Sequence, residues 1–359
     1  MNHDNNSFDI NNIAKRAFNL FLVVLSIVTI LFTVVVFWNE LNTALFTKEY
    51  ENIEVEKMYS DAEIKDSLKR EMADFWKPVD IDEIKDSVYK NKVLYGKELI
   101  SHTAKYLGPK GSVLQVSNGM NCKNCHLDAG TKPWGNNYGS VFSQYPKMRA
   151  RSGKMESLYK RVNDCFERSL NGKALPEDNK EMQSIIAYIE YIGKNVPKDS
   201  TAKASGIKDI DFLDRAASPE KGKALYETKC ASCHQNDGQG VLADDKVEYT
   251  YPPLWGKHSY NSGAGLYRIS RFAGYIKYNM PLGATYDNPQ LTDEESWDIA
   301  AYVESMDRPT KDLSGDWPKI EKKPIDHPFG PFADSFTEEQ HKYGPFKPIK
   351  KEKKKREKK

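Results

Sequence analysis

Two pentads, Cys122-Lys123-Asn124-Cys125-His126 and Cys230-Ala231-Ser232-Cys233-His234, constrain this chain more than any other stretch of it. In C-x-x-C-H the two thiols add across the vinyl groups of a haem while the adjacent imidazole reaches its iron, so porphyrin geometry dictates the spacing. A bare C-x-x-C also suits half a zinc site, but zinc brings its second pair within about 15 to 20 residues. Here the second pair begins only at Cys230, and each pair is followed at once by histidine. The pattern implies two covalently bound haem c groups, with iron held by His126 and His234.

Each pentad sits inside the same larger pattern. Gly96-Lys97-Glu98-Leu99 precedes the first as Gly222-Lys223-Ala224-Leu225 precedes the second, and Ala187-Tyr188-Ile189-Glu190 answers Ala301-Tyr302-Val303-Glu304 downstream. Such self-similarity is the mark of a duplicated module. Helix signals flank both copies: Ser218 before Pro219, the capping box Thr292 to Glu295, and Pro176-Glu177-Asp178 opening a stripe of Ile185, Ile186, Ile189 and Ile192. No alternating strand pattern stands out. The expected fold is mainly α, with two cytochrome c-like haem domains in tandem and an N-terminal transmembrane helix.

Ala17 to Trp38 carries no charge, and its length at about 1.5 Å per residue covers a bilayer core of about 30 Å. It exceeds the apolar region of a signal peptide and lacks a small-residue cleavage site. Lys15-Arg16 before it, with the acidic stretch Glu40 to Glu56 after it, orients the chain with its N-terminus in the cytoplasm. The expected layout is a cytoplasmic N-terminus (1–16), an anchor (17–38), a stalk (39–90), a first haem domain (91–200), a linker (201–215), a second haem domain (216–310) and a C-terminal extension (311–359). The haem domains then lie in the periplasm of a bacterium, tethered to its inner membrane by a single pass. In the stalk, Ile64, Leu68, Met72, Phe75 and Trp76 form a weak apolar stripe. Residues 350–359 read as a disordered basic tail, a solubilising end or a dock for an acidic partner or anionic lipid. The net charge of +2 argues against a general nucleic-acid role.

The ligand opposite each histidine decides what each iron does. Asn279-Met280-Pro281 lies shortly before the last helix of the second module and supplies Met280, whose thioether gives a closed, electron-transferring iron of relatively high potential. The first module has no such sequence. Met148, Met155, Met182, His102 and Cys165, the fifth and unpaired cysteine, remain open as its distal ligand.

Arg161-Val162-Asn163-Asp164-Cys165-Phe166-Glu167-Arg168-Ser169-Leu170-Asn171-Gly172 closely resembles the cysteine-ligand segment of the dihaem thiosulfate dehydrogenases, also called tetrathionate reductases. Cys125 to Thr131, Pro253 to Gly256, Ser259 to Gly265 and Gln340 to Phe346 agree with it, over about residues 92 to 349. The resemblance implies that Cys165 is the distal ligand of a catalytic first haem, and that the second haem, His234 and Met280, passes electrons on. Some relatives carry lysine directly before the methionine; here Asn279 takes that place.

Coupling two thiosulfate dianions needs positive charge. At 4 Å they repel by about 4 kcal/mol even in water. Lys147, Arg149, Arg151, Lys154, Lys160 and Arg161 precede Cys165 closely. Of these, Arg149, Arg151 and Arg161 are the expected anion ligands, since the guanidinium fork suits tetrahedral oxyanions, with Ser169 a donor near the thiolate; pairing with Asp164 or Glu167 is the competing role. The expected electron partner is a c-type cytochrome, another small redox protein or a terminal oxidase. Two rival functions use the same parts: a membrane-anchored dihaem carrier to an oxidase, and a haem subunit of a sulfur-oxidising multienzyme system.

Overall fold

The computed structural model describes the backbone of residues 10–358 and the side chains of residues 15–38, 63 and 65–358. The asparagine-rich start of the chain and the side chains between Glu40 and Glu56 lie outside these. The chain forms two compact units, residues 1–70 and 71–359. Helix α1 (Ile10–Ala73) contains Lys15–Trp38, which is long and apolar enough to cross a membrane and buries none of its side chains. Its few hydroxyls turn back onto their own helix, Ser26 to the Leu22 carbonyl at 2.8 Å and Thr33 to that of Thr29 at 2.5 Å. That is how polar groups are satisfied where no water can reach them.

The second unit holds both haem domains. In the first, α2 (Ser87–Ser101) and a short α3 (Thr103–Leu107) lead to the first pentad. The single turns α4 (Leu127–Gly130) and α5 (Val141–Gln144), the hairpin of β1 (Lys147–Arg149) and β2 (Lys154–Glu156), α6 (Leu158–Asp164) and α7 (Lys180–Gly193) follow. The second domain repeats the plan. Helix α8 (Pro219–Lys229) runs into the turn α9 (Ala231–His234), a hairpin of β3 (Val241–Leu242) and β4 (Tyr249–Tyr251), α10 (Ile269–Asn279) and α11 (Asp293–Ser305).

The duplication is a duplicated helix crossing. A Cβ on Gly96 of α2 would fall 2.0 Å from the Ser184 carbonyl oxygen and 2.9 Å from the Tyr188 Cβ of α7. At Gly222 of α8 the corresponding distances are 1.8 Å to the Asp298 carbonyl oxygen and 2.9 Å to the Tyr302 Cβ of α11. Glycine therefore lets the two backbones touch, and the tyrosine one turn on seals the contact. The caps sit as the sequence suggests at Ser218 and Thr292. Helix α7, however, starts at Lys180, because Asn179 rather than the Pro176 turn takes up the amides of Glu181 and Met182. Two antiparallel hairpins appear where no strand was expected, their strands being too short to show an alternation.

Three other expectations change. Within the segment read as a stalk, Phe75 and Trp76 are buried, and the Trp76 indole donates to Asn195 at 3.0 Å, so residues 75–84 belong to the packing of the first domain. The linker is fastened rather than free: Ala204 is buried, its carbonyl takes hydrogen bonds from Trp134 and Asn137, and the Gly206 carbonyl takes one from Asn136. The basic end is ordered. After α12 (Glu338–Tyr343), α13 (Phe346–Arg356) buries Phe346 and Ile349 in the second core, with Phe346 tilted against Phe212 and Trp297.

Gly96→Ala and Gly222→Ala are each expected to lower the unfolding free energy by about 2–3 kcal/mol, measured by denaturant titration of the holoprotein. Gly315→Ala, where a Cβ meets nothing within 4 Å, is expected to change it by less than about 0.5 kcal/mol.

Candidate functional site

A cavity of about 430 Å³ opens in the first domain. Cys122, which opens a 3-10 turn (Cys122–Asn124), Cys125, which caps it, and His126, which follows, all line it. The His126 Nδ1 donates to the Asn136 carbonyl at 2.5 Å, and the Tyr138 ring lies over the imidazole with centroids 4.5 Å apart. Fixing Nδ1 as the donor leaves the Nε2 lone pair for a metal. Burial pulls this imidazole down to about 4, which favours its neutral form. In the second domain His234 repeats the device, its Nδ1 donating to the Pro252 carbonyl at 2.8 Å, with burial again lowering its pKa. Two neighbouring thiols for the vinyl groups and an oriented imidazole for the iron are what a c-type haem needs, and the residues present fit one in each domain.

Of the five candidates for the ligand opposite His126, Cys165 alone lines the cavity. Met148 and Met155 face each other across the β1–β2 hairpin and are 60% and 62% exposed. Met182 is buried inside α7, and the Nδ1 of His102 is taken by Glu248 at 2.9 Å. Met120 also reaches the cavity, but it stands two residues before Cys122. Cys165 opens a π-turn, Cys165–Ser169, that continues α6. Such turns carry one residue more than the helix they extend and mark functional sites often; Ser169 closes this one and lines the cavity.

The three expected arginines are not equivalent. Arg161, one turn before Cys165, donates through Nη1 to its sulfur at 3.0 Å, and that sulfur holds the guanidinium above its ordinary pKa. Arg151 is 14% exposed and its Nη2 pairs with the buried Asp164 at 2.5 Å, so much of its charge is spent within the fold. Arg149 is held only loosely, its Nε 3.7 Å from Glu156. Lys160 shares Asp164 and stands 3.7 Å from Glu167. Arg168 lines the cavity but is clamped by Asp316 with two contacts of 2.8 Å. Tyr145, which the sequence reading missed, lines the same cavity with a buried hydroxyl that has no partner among the described residues, in the field of Arg161 and Arg149. A lone tyrosine before proline carries no signal of its own, so only the fold finds it.

Met280 follows the last residue of α10 and, like Cys230, packs against the second core. Lys277 is turned away, its amine on the Leu291 carbonyl at 2.6 Å and Asp293 at 3.0 Å. Asn279 donates to the carbonyls of Tyr275 and Trp134.

The general cytochrome c family model matches residues 219–307, and the model for the SoxA/TsdA cytochrome c domain matches residues 113–197. The thiosulfate dehydrogenase of Allochromatium vinosum is 36% identical over 228 residues, covering 62% of this chain and 81% of the relative. That of Stutzerimonas stutzeri is 33% identical over 235 residues, covering 66% and 73%. Among solved structures, the thiosulfate dehydrogenase (TsdBA) of Marichromatium purpuratum superposes with a TM-score of 0.61 at 30% identity. The match covers 66% of this chain and half of that longer one.

Breaking a buried ion pair leaves a stranded charge, whereas replacing both partners removes the problem. Arg151→Met leaves the buried Asp164 with the half-exposed Lys160 as its remaining hydrogen-bonded cation and is expected to cost about 1–2 kcal/mol of stability, and Arg151→Met with Asp164→Asn to recover most of it, both read from denaturation midpoints of the haem-loaded protein.

Proposed function

This chain belongs to the thiosulfate dehydrogenase family and carries two covalently bound c-type haems, and from that premise we propose that it joins two thiosulfates into tetrathionate, or runs the reverse, at the first haem with Cys165 as distal ligand. The observation that carries the reading is the 3.0 Å contact of Arg161 with the Cys165 sulfur inside a cationic cavity that also holds His126. Bound haem supplies one-electron acceptance, and two haems suffice for the two electrons of the reaction.

The chain's own residues do the rest. Arg161 and Arg149 offset the repulsion between dianions, which grows beyond its aqueous value inside a cleft. Tyr145 offers a hydroxyl proton to a sulfonate oxygen, and Ser169 a second donor. A first thiosulfate forms a sulfur–sulfur bond with Cys165, releasing two electrons and leaving a persulfide-like sulfonate carrying one negative charge. A second thiosulfate attacks its outer sulfur, the bond to Cys165 breaks, and tetrathionate leaves with the cysteine thiolate restored. No proton is gained or lost. Met280 and His234 serve the outgoing electrons, which pass to a c-type cytochrome, another small redox protein or a terminal oxidase. The contact of Tyr275 with the Asn124 carbonyl at 3.0 Å, and of Asn279 with that of Trp134 at 3.2 Å, supports a short path between the modules. The anchor, preceded by Lys15 and Arg16, places the N-terminus in the cytoplasm and the haem domains in the periplasm. A pure carrier has no use for a thiolate beside a free guanidinium, which sets the enzyme apart from that rival.

Cys165→Ala is expected to lower turnover of thiosulfate with an artificial acceptor by at least about a hundredfold while both haems stay attached; unchanged turnover refutes its participation. Arg161→Gln removes a charge-assisted contact of about 2 kcal/mol, which predicts a loss of about thirtyfold in kcat/KM.

A further inference from the structure

The π-turn that presents Cys165 is completed from outside its own domain. Glu167 and Arg168 lie in the last turn of this helix, where carbonyls run out of partners further along the chain and must find others; along the chain the Arg168 carbonyl meets the Asn171 N–H at 3.4 Å. Here the partner is Asn261, which is 2% exposed and comes from the loop ahead of α10 in the second haem domain. Its backbone N–H donates to the Arg168 carbonyl at 3.1 Å. Its side-chain amide donates to the Glu167 carbonyl and to the Asn171 Oδ1, each at 2.9 Å. Its own Oδ1 accepts from the Gly263 N–H at 3.0 Å, a local turn that sets the side chain before it reaches across.

The loop is anchored at its other end. Tyr260, next to Asn261, donates to the buried Glu304 on α11 at 2.7 Å, and Arg308 lies 4.4 Å from the Tyr260 ring. Ser262 takes up the main chain after α11, its N–H on the Pro309 carbonyl at 2.9 Å and its hydroxyl accepting from the Lys311 N–H at 3.0 Å. A strut of three consecutive residues thus runs from the last helix of the second haem module to the turn that carries Cys165.

We propose that Asn261 is a positioning residue for Cys165: by holding the carbonyls of Glu167 and Arg168 it keeps the π-turn in the register that points the sulfur at the first haem. The second module then does more than pass electrons on; it sets the ligand geometry of the first. Asparagine is required because the position needs two N–H donors and one acceptor at once. Aspartate has the same shape but turns lone pairs toward the Glu167 carbonyl and Asn171. The inference rests on Cys165 as the first haem's ligand.

The test uses the full haem-loaded protein, with Asn261→Ala, Asn261→Asp and the milder Asn171→Gly, which keeps the left-handed backbone at that position (φ 42°) and removes one partner of the amide. The readouts are the thiolate-to-iron spectroscopic signature of the first haem, the methionine-to-iron band of the second and steady-state kinetics. The expected result is loss or splitting of the thiolate signature in both Asn261 variants and a partial effect in Asn171→Gly. The methionine band stays intact, and kcat falls at least tenfold with KM within about twofold. A thiolate signature and kcat unchanged in all three variants overturn the inference, as does equal loss of both haem signatures, which would make Asn261 a plain brace of the domain seam. If the unaltered protein itself lacks the thiolate signature, the ligand assignment fails before this question is reached.

Discussion

The first domain is organised around the cavity that fits its haem. Ile100 of α2 and Ile185 and Ile189 of α7 line it together with Leu158, Val162 and Phe166, so a flat apolar group bound there would supply core that these short helices do not. Cys122 and Cys125 would keep that group in place. The contact of α2 with α7 at Gly96 then makes sense. By letting the backbones touch at one end, it leaves the rest of the domain free to open around a flat, rigid group. The same contact at Gly222 serves the second haem.

Charge in the first cavity is set by subtraction. The run from Lys147 to Arg168 brings many cations to one wall, yet Asp164, Glu156 and Asp316 take most of them up. Arg161 is left with sulfur as its partner and Arg149 with a distant carboxylate. An undiminished cluster would bind a dianionic product as firmly as two dianionic substrates, and tight uniform binding does not speed turnover. Asp316 comes from the C-terminal extension, whose Trp317 N–H also donates to the Arg151 carbonyl at 2.6 Å. The extension therefore fixes both the Arg168 side chain and the turn that bears Arg151.

What could be read from the amino acids alone follows the range of the interaction. The pentads, the paired glycine and tyrosine positions and the caps at Ser218 and Thr292 are local patterns, and each was legible. The fate of Phe75 and Trp76 was not, because two apolar residues at the end of a weak helical stripe look alike on a spacer and on a core. The basic end hid a packed helix for a related reason: Phe346 and Ile349 are too few to outweigh the lysines in any composition measure, though they lie one turn apart on one face. Arg149, Arg151 and Arg161 were equivalent in sequence and separate only through carboxylates brought to two of them by the fold. Asn261 meets partners that no local window contains, and Tyr145 is brought to the cavity only by the fold.

Both flanks of the first haem site are braced by the second module. On the attachment side, Tyr275 and Asn279 of α10 hold the carbonyls of Asn124 and Trp134, and Lys132 reaches the Ala284 carbonyl just beyond Met280. On the far side the Tyr260–Ser262 strut holds the Cys165 turn. The same domain seam therefore touches both the first attachment turn and the turn that bears Cys165, through α10 and the loop ahead of it. A duplicated module would otherwise be free to drift into two separate cytochromes. Here the seam ties the two modules together, because a shift of α10 or of the loop ahead of it would displace the first attachment turn or the turn that bears Cys165.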